Sequence, residues 1–150
     1  MKTITLLLLL PLFSICLTDK LDEDNGFVNY KFGKPPTKYE NLILEMDEGK
    51  TQLYSASGSN INVSGIKCKR LMVTFCNNQL SAISIRTDQS NGNKLLLLLK
   101  EKYGEPKKVK ENYEWTGKKV HMLLEPLDAN EAEVYLYSKE IYSRNKPVKK

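Results

Sequence analysis

Between Ser90 and Pro106 the chain runs SNGNKLLLLLKEKYGEP, with five leucines, Leu95 to Leu99, set between polar stretches. Leu95, Leu98, Leu99 and Tyr103, with Leu96 beside them, fall close to one face at helical spacing, which predicts a half-buried helix. Gly104 and Pro106 supply its stop: glycine tolerates left-handed backbone after the last turn, and proline cannot continue the helix. Lys100 and Lys102 suit the negative end of the helix dipole, and Ser90, Asn91 and Asn93 are candidate N-caps. The apolar run is far short of the roughly 20 residues a membrane helix needs. A short buried strand is the rival reading, because periodicity alone does not separate the two.

The same spacing recurs upstream. Tyr39, Leu42, Ile43 and Met46 follow Pro35-Pro36, with Thr37 and Glu40 at capping-box spacing, and predict a first helix over 37–48 ended by Gly49. Before it, the aromatic alternation of Gly26 to Gly33 suggests an extended lead-in. Strands are expected at Gln52–Ser57, at Ile66–Cys76 with Leu71, Val73 and Phe75 on one face, and at Leu80–Thr87 with Ile83 and Ile85 together. After the leucine helix they recur at Val109–Trp115, Lys119–Leu124 and Glu133–Ser138. Val120, Met122 and Leu124 share a face. Val134 and Leu136 lie on one side of the last strand, Tyr135 and Tyr137 on the other. Ile141 and Tyr142 either continue that strand or pack as a short cap. The predicted fold is α+β: two helix–three-strand units forming an antiparallel sheet, with the helices packed on one face. Leu42, Ile43 and Met46 match Leu95, Leu96 and Leu99, and Ile83 and Ile85 match Val134 and Leu136, although identity between the halves is low.

Lys102, Tyr103, Gly104 and Pro106 form a KYG-P stretch, followed by a hairpin carrying Trp115 and Gly117. With this motif and this order of elements, the chain resembles the tandem α/β units of the beta-lactamase-inhibitor-protein-like fold. It also resembles the small SmpA/OmlA outer-membrane lipoproteins and other small exported bacterial proteins. The resemblance covers residues 27 to 140 or so. It implies an exported, non-catalytic role in binding or envelope assembly, and it brings no catalytic residues with it.

The leader changes the picture of where the protein works. Residues 1–16 have the form of a signal peptide, with Lys2 as the charged start and Ile4 to Phe13 as an apolar stretch too short to span a membrane. The expected location is therefore periplasmic or extracellular, with no transmembrane helix in the mature chain. Cys16 has two readings: a small residue at an ordinary cleavage site, or the lipidated N-terminus of an anchored protein. Residues 17–26, rich in Asp and Glu, are expected to be a flexible acidic linker, 27–143 a single α+β domain, and 144–150 a frayed basic tail.

Charge and cysteine count narrow the chemistry. Of 150 residues, 23 are Lys or Arg and 18 Asp or Glu, for a net charge of +5. So mild an excess fits a solvated surface or an acidic partner better than nucleic acid, and an exported chain points away from nucleic acid too. Cys68 and Cys76 lie eight positions apart on one expected strand. At roughly 3.3 Å per residue that is about 26 Å, against the about 7 Å a disulfide allows between Cα atoms. His121 is the only histidine, and nothing brings it beside a thiol or serine. Phosphate-binding glycine loops and metal-ligand clusters are missing from the sequence. The expectation is a protein that is not an enzyme and needs no cofactor or metal.

Candidate binding residues are therefore sought on an exposed sheet face. The aromatics Tyr54, Tyr113, Trp115, Tyr135 and Tyr137 are potential anchors, with packing beneath the helices as the competing fate of Trp115. Lys67, Lys69 and Arg70 form a basic patch, which as a charged strand edge would also resist aggregation. Lys107, Lys108 and Lys110 form a second. The expected partner is a protein, or an anionic envelope surface. An inhibitor or immunity protein that blocks one enzyme is the alternative function.

Overall fold

A computed structural model describes residues 18–56, 61–128 and 130–145. The expected leader with Cys16, and the tail beyond Asn145, lie outside these residues. Along the chain run α1 (Thr18–Asp24), β1 (Gly26–Phe27), β2 (Tyr30–Lys31), a 3-10 turn (Pro36–Lys38), β3 (Leu42–Asp47) and β4 (Thr51–Ala56). There follow β5 (Asn62–Val63), β6 (Ile66–Lys67), β7 (Arg70–Cys76), β8 (Gln79–Asp88) and α2 (Gln89–Tyr103). The chain closes with β9 (Lys107–Val109), β10 (Asn112–Thr116), β11 (Val120–Pro126), β12 (Glu131–Ser138) and α3 (Lys139–Arg144). Eight strands make one antiparallel sheet in the order β3-β4-β7-β8-β12-β11-β10-β9, while β1–β2 and β5–β6 are separate small hairpins.

This overturns the expected pair of helix–three-strand units. The fold is mostly β, and the order is a four-strand meander, a helix, a second four-strand meander and a short helix. Residues 37–48 do not form a helix. After the 3-10 turn the backbone leaves the helical region at Tyr39 (φ −123°, ψ 132°) and becomes the edge strand β3. The Tyr39 hydroxyl is pinned to the backbone of Lys31, accepting from its N–H at 2.9 Å and donating to its carbonyl at 2.8 Å. The run Leu42-Ile43-Leu44-Glu45-Met46 is apolar at four of five positions, so it fits either period, and pairing with β4 decides. Gly49, expected as a helix stop, has φ +73° in the β3–β4 turn, where Asp47 Oδ1 accepts its N–H at 2.8 Å. The same glycine property serves a hairpin as well as a helix end. The first of the two helices counted in the family resemblance is thus a strand.

Two expected strands are each broken in two. Ile66–Cys76 divides at Cys68–Lys69, letting β6 fold back on β5. Cys68 precedes the start of β7 and Cys76 closes its end, both as buried free thiols. Val109–Trp115 gives way at Lys110 (φ +56°), which makes the hairpin β9–β10 and a fourth strand in the second half.

The leucine helix is α2. Its N-cap is Asp88, before the expected candidates, with Oδ1 accepting the Asn91 N–H at 2.8 Å. Gly104 (φ +82°) ends it, returning its N–H to the Lys100 carbonyl at 2.8 Å. Leu95, Leu99 and Tyr103 are fully buried and Leu97 is 68% exposed, so the stripe is narrower than the leucine run. Burying each such side chain stabilises by roughly 1.5–3 kcal/mol. Beneath α2 lie Ile83 and Ile85, Val134 and Leu136, and Val120, Met122 and Leu124. At the middle of the sheet Ile83 faces Leu136 and Ile85 faces Val134 across β8 and β12, flanking the Ser84–Tyr135 pair on both sides. The matched positions of the two halves therefore pair crosswise: Ile83, matched to Val134, faces Leu136, and Ile85, matched to Leu136, faces Val134.

Within the segment expected to be a flexible linker, α1 is a docked helix. Leu21 is fully buried. The Asp22 carboxylate accepts the backbone N–H groups of Lys118, Lys119 and Val120 at 2.5, 2.8 and 2.9 Å. A Cβ at Gly117 would stand 2.3 Å from Asp22 Oδ1. Asp24 receives the Tyr103 hydroxyl at 2.8 Å and the Lys102 ammonium at 2.7 Å. Burial pushes the Asp24 carboxyl up, but the bonds from Lys102 and Tyr103 and the charges of Lys102 and Lys31 outweigh it and leave it below the ordinary carboxylate value. Trp115 Nε1 donates to the Gly104 carbonyl at 2.7 Å. Five members of the KYG-P and W-G motif, Lys102, Tyr103, Gly104, Trp115 and Gly117, thus form or flank the socket for α1.

Two outcomes test this packing. A Cβ at Gly92 would lie 2.6 Å from Ala132 Cβ. Gly92→Ala is expected to cost about 1–3 kcal/mol in urea unfolding, and Ala132→Gly in the same chain recovers part of it. Asp22→Ala removes one acceptor from three amides and is expected to cost on the order of 1–2 kcal/mol. Hydrogen exchange would then speed up at Lys118, Lys119 and Val120, with β8 protection unchanged.

Candidate functional site

The sheet has two unlike faces. One is covered by α2, α1 and the small hairpins, whose Leu21, Phe27, Phe32, Val63 and Ile66 join the same core. The other carries the alternate side chains of every strand, and α3 leans on one end of it. Pairing sets these side chains in cross-strand rows. One row runs Leu123, Tyr135, Ser84, Met72, Ser55 and Ile43 from β11 to β3. The next runs His121, Tyr137, Ala82, Thr74, Leu53 and Met46. Both are dominated by apolar and aromatic groups, and Ile43 is 53% exposed at the β3 end.

A charged row borders them. Glu133 stands opposite Arg86, which stands opposite Arg70. Arg86 lies 4.0 Å from both Glu131 and Glu133, Lys69 pairs with Glu131 at 2.7 Å, and the Ser84 hydroxyl donates to Glu133. The bond to Glu131 raises the Lys69 ammonium above its ordinary value, against a smaller opposing effect of burial.

The aromatic residues form a contiguous cluster. Tyr137 has ring centroids at 5.1 Å from His121, 5.9 Å from Tyr135 and 4.9 Å from Tyr142 on α3. Burial raises the Tyr135 and Tyr137 phenols above their ordinary values, and neighbouring tyrosines add to it. Beside Tyr135 a cavity of about 210 Å³ opens under α3, lined by Thr74, Cys76, Ser81, Ala82 and Tyr142 among others. The Ser81 hydroxyl lies 3.3 Å from Cys76 Sγ and donates to the Thr74 carbonyl at 2.9 Å.

The expected anchor residues divide between the faces. Tyr135 and Tyr137 are on the open face. Tyr54, Tyr113 and Trp115 are on the helix-covered face: Tyr54 sits edge-on to Phe75 at 5.3 Å, Tyr113 lies under the Lys108 ammonium at 5.7 Å, and Trp115 is 2% exposed. These three pack the fold and do not share a surface with the tyrosine row. The basic patch is divided as well. Lys67 is exposed on β6, Lys69 is engaged by Glu131, and Arg70 lies on the open face of β7. The sequence reading missed Tyr142 and the Cys76–Ser81 pocket. Their only signal was the short apolar pair Ile141-Tyr142 after the last strand. Among the described residues no group of three or more His, Cys, Asp or Glu is placed to hold a metal ion.

No protein family, curated protein or solved structure matches the chain. Among the described residues no helix is long and apolar enough to cross a membrane.

His121 provides a probe of this face. Burial lowers its imidazole below the ordinary histidine value, with the nearby Lys139 ammonium adding and Glu114 opposing. A folded value below the unfolded one means that the unfolded chain binds the proton first. Stability is then full above the unfolded midpoint and declines as the pH falls toward the folded one. NMR titration of this imidazole is expected to give a lower midpoint in the folded protein than in urea, and His121→Gln should remove that part of the pH dependence.

Proposed function

We propose that the protein is an exported, non-catalytic binding module whose open sheet face docks a protein partner. The observation that carries this reading is the apolar-lined cavity beside the Tyr135–Tyr137–Tyr142 cluster. Binding energy at protein interfaces concentrates where aromatic groups surround a pocket that takes an anchor side chain, with charged groups at the rim. Tyr135 belongs to both the cluster and the cavity wall. The Glu133–Arg86–Arg70 row supplies a rim of mixed sign, which would set the register of a partner more than its affinity. Export rests on Lys2 and the apolar stretch from Ile4 to Phe13.

Crosslinking in the native envelope, followed by capture, tests the reading. Tyr135→Ala with Tyr137→Ala is expected to weaken the captured partner at least about tenfold, as hot-spot loss of about 2 kcal/mol or more implies. Leu97→Ser, on the exposed side of α2, should leave capture unchanged. An unaltered partner set in a double variant that still folds would defeat the proposal.

A further inference from the structure

The two edges of the eight-stranded sheet are unlike in a way that fits one to the other. β3 is a six-residue edge carrying Glu45 and Asp47 and no basic residue, with Ile43, Leu44 and Met46 exposed by 53, 48 and 42%. Long apolar edges of this kind are open to pairing, and proteins commonly blunt them with lysine or short length. β9, at the other end, is a three-residue edge carrying Lys107 and Lys108 and no acidic residue. We propose that these edges are complementary halves of one interface, through which β9 of one copy of the chain adds to β3 of the next.

Three observations support a second copy as the occupant. The first is direction. Eight strands alternate in sense from β3 to β9, so a neighbouring copy shifted along the sheet sets its β9 antiparallel to β3 without being turned over. The second is charge. Glu45 reaches the Ser55 hydroxyl at 2.5 Å on the open face, and Lys107 is opposite Glu114 on that same face. Asp47 pairs with Gln52, and Lys108 lies over the Tyr113 ring, both on the helix-covered face. Antiparallel pairing that sets Lys107 of the shifted copy opposite Glu45 on the open face also sets Lys108 opposite Leu44 and Val109 opposite Ile43, so opposite charge meets on the open face and every side chain keeps its face. The third is exclusion of the symmetric alternatives. β3 against β3 would bring Glu45 and Asp47 of two copies together, and β9 against β9 would do the same with the lysines, each destabilising. The bulge at Leu44–Met46 limits the ladder to a short one, in keeping with the three residues of β9. Such a head-to-tail contact does not close on itself as a two-fold dimer does. With a twist of roughly 20–25° per strand it propagates as a helical ribbon.

Sedimentation of the purified protein over a range of concentrations tests this. The weight-average mass is expected to rise past that of a dimer at low salt and to fall as salt screens the edge charges. Glu45→Lys and Lys107→Glu should each weaken association about tenfold, while circular dichroism shows the fold retained. Mixing the two variants in equal amounts should restore assembly, because every edge then finds an opposite charge. A protein that stays monomeric at all concentrations would overturn the proposal. So would a dimer indifferent to Lys107→Glu, which would mark β3–β3 pairing, or a mixture that fails to recover.

Discussion

The pairing of β8 with β12 is the contact on which the other elements depend. It joins two segments far apart in the sequence and turns two separate meanders into one sheet. Neither meander alone has an apolar face wide enough to seat α2. Ile83, Ile85, Val134 and Leu136 come from both sides of the junction and are all fully buried. The helix begins where β8 ends, at the Asp88 cap, and Gln89 donates to the Asn130 carbonyl at 2.9 Å just before β12. The junction therefore sets where α2 starts as well as what it covers. A contact so distant in sequence forms against a large loop-closure cost, which the local hairpins reduce by preassembling each half.

The C-terminal end of α2 is fixed by a second set of bonds with a different character. Asp22 and Asp24 on α1 reach, respectively, the turn between β10 and β11 and the last turn of α2. A seven-residue helix is too short to be stable alone, so its order comes from these carboxylates and from Leu21. The KYG-P and W-G residues, which by resemblance belonged to a family signature, have a local physical reason here. They build the socket and satisfy a helix-end carbonyl.

Covering one face so thoroughly leaves the other open. Strand alternation sends half of each strand to the open side, and there the row of tyrosines, the cavity under α3 and the balanced charges of Lys69, Arg86, Glu131 and Glu133 lie together. The sheet edges are a separate resource, set by which strands the topology leaves last. Face and edge can thus serve different contacts in the same molecule.

Much of the local structure was legible in the sequence. The leucine helix, its glycine stop, the paired faces of β7 and β8, and the split of β12 into Val134 and Leu136 against Tyr135 and Tyr137 all follow from period and capping. These signals are local, since each depends on residues within one or two turns. Residues 39–46 were not legible, because their apolar pattern suits a helix or a strand and only β4 could choose. Nor were the fates of Tyr54, Tyr113 and Trp115: the alternation that separates two faces does not say which one a helix will cover. The acidic segment looked unable to fold because its binding partners, Tyr103 and the amides of Lys118 to Val120, are roughly 80 to 100 residues away. The sequence by itself determined the period, caps and turns. The tertiary structure decided which face was buried, which strands became edges and which charges found partners, since each of those depends on distant segments meeting.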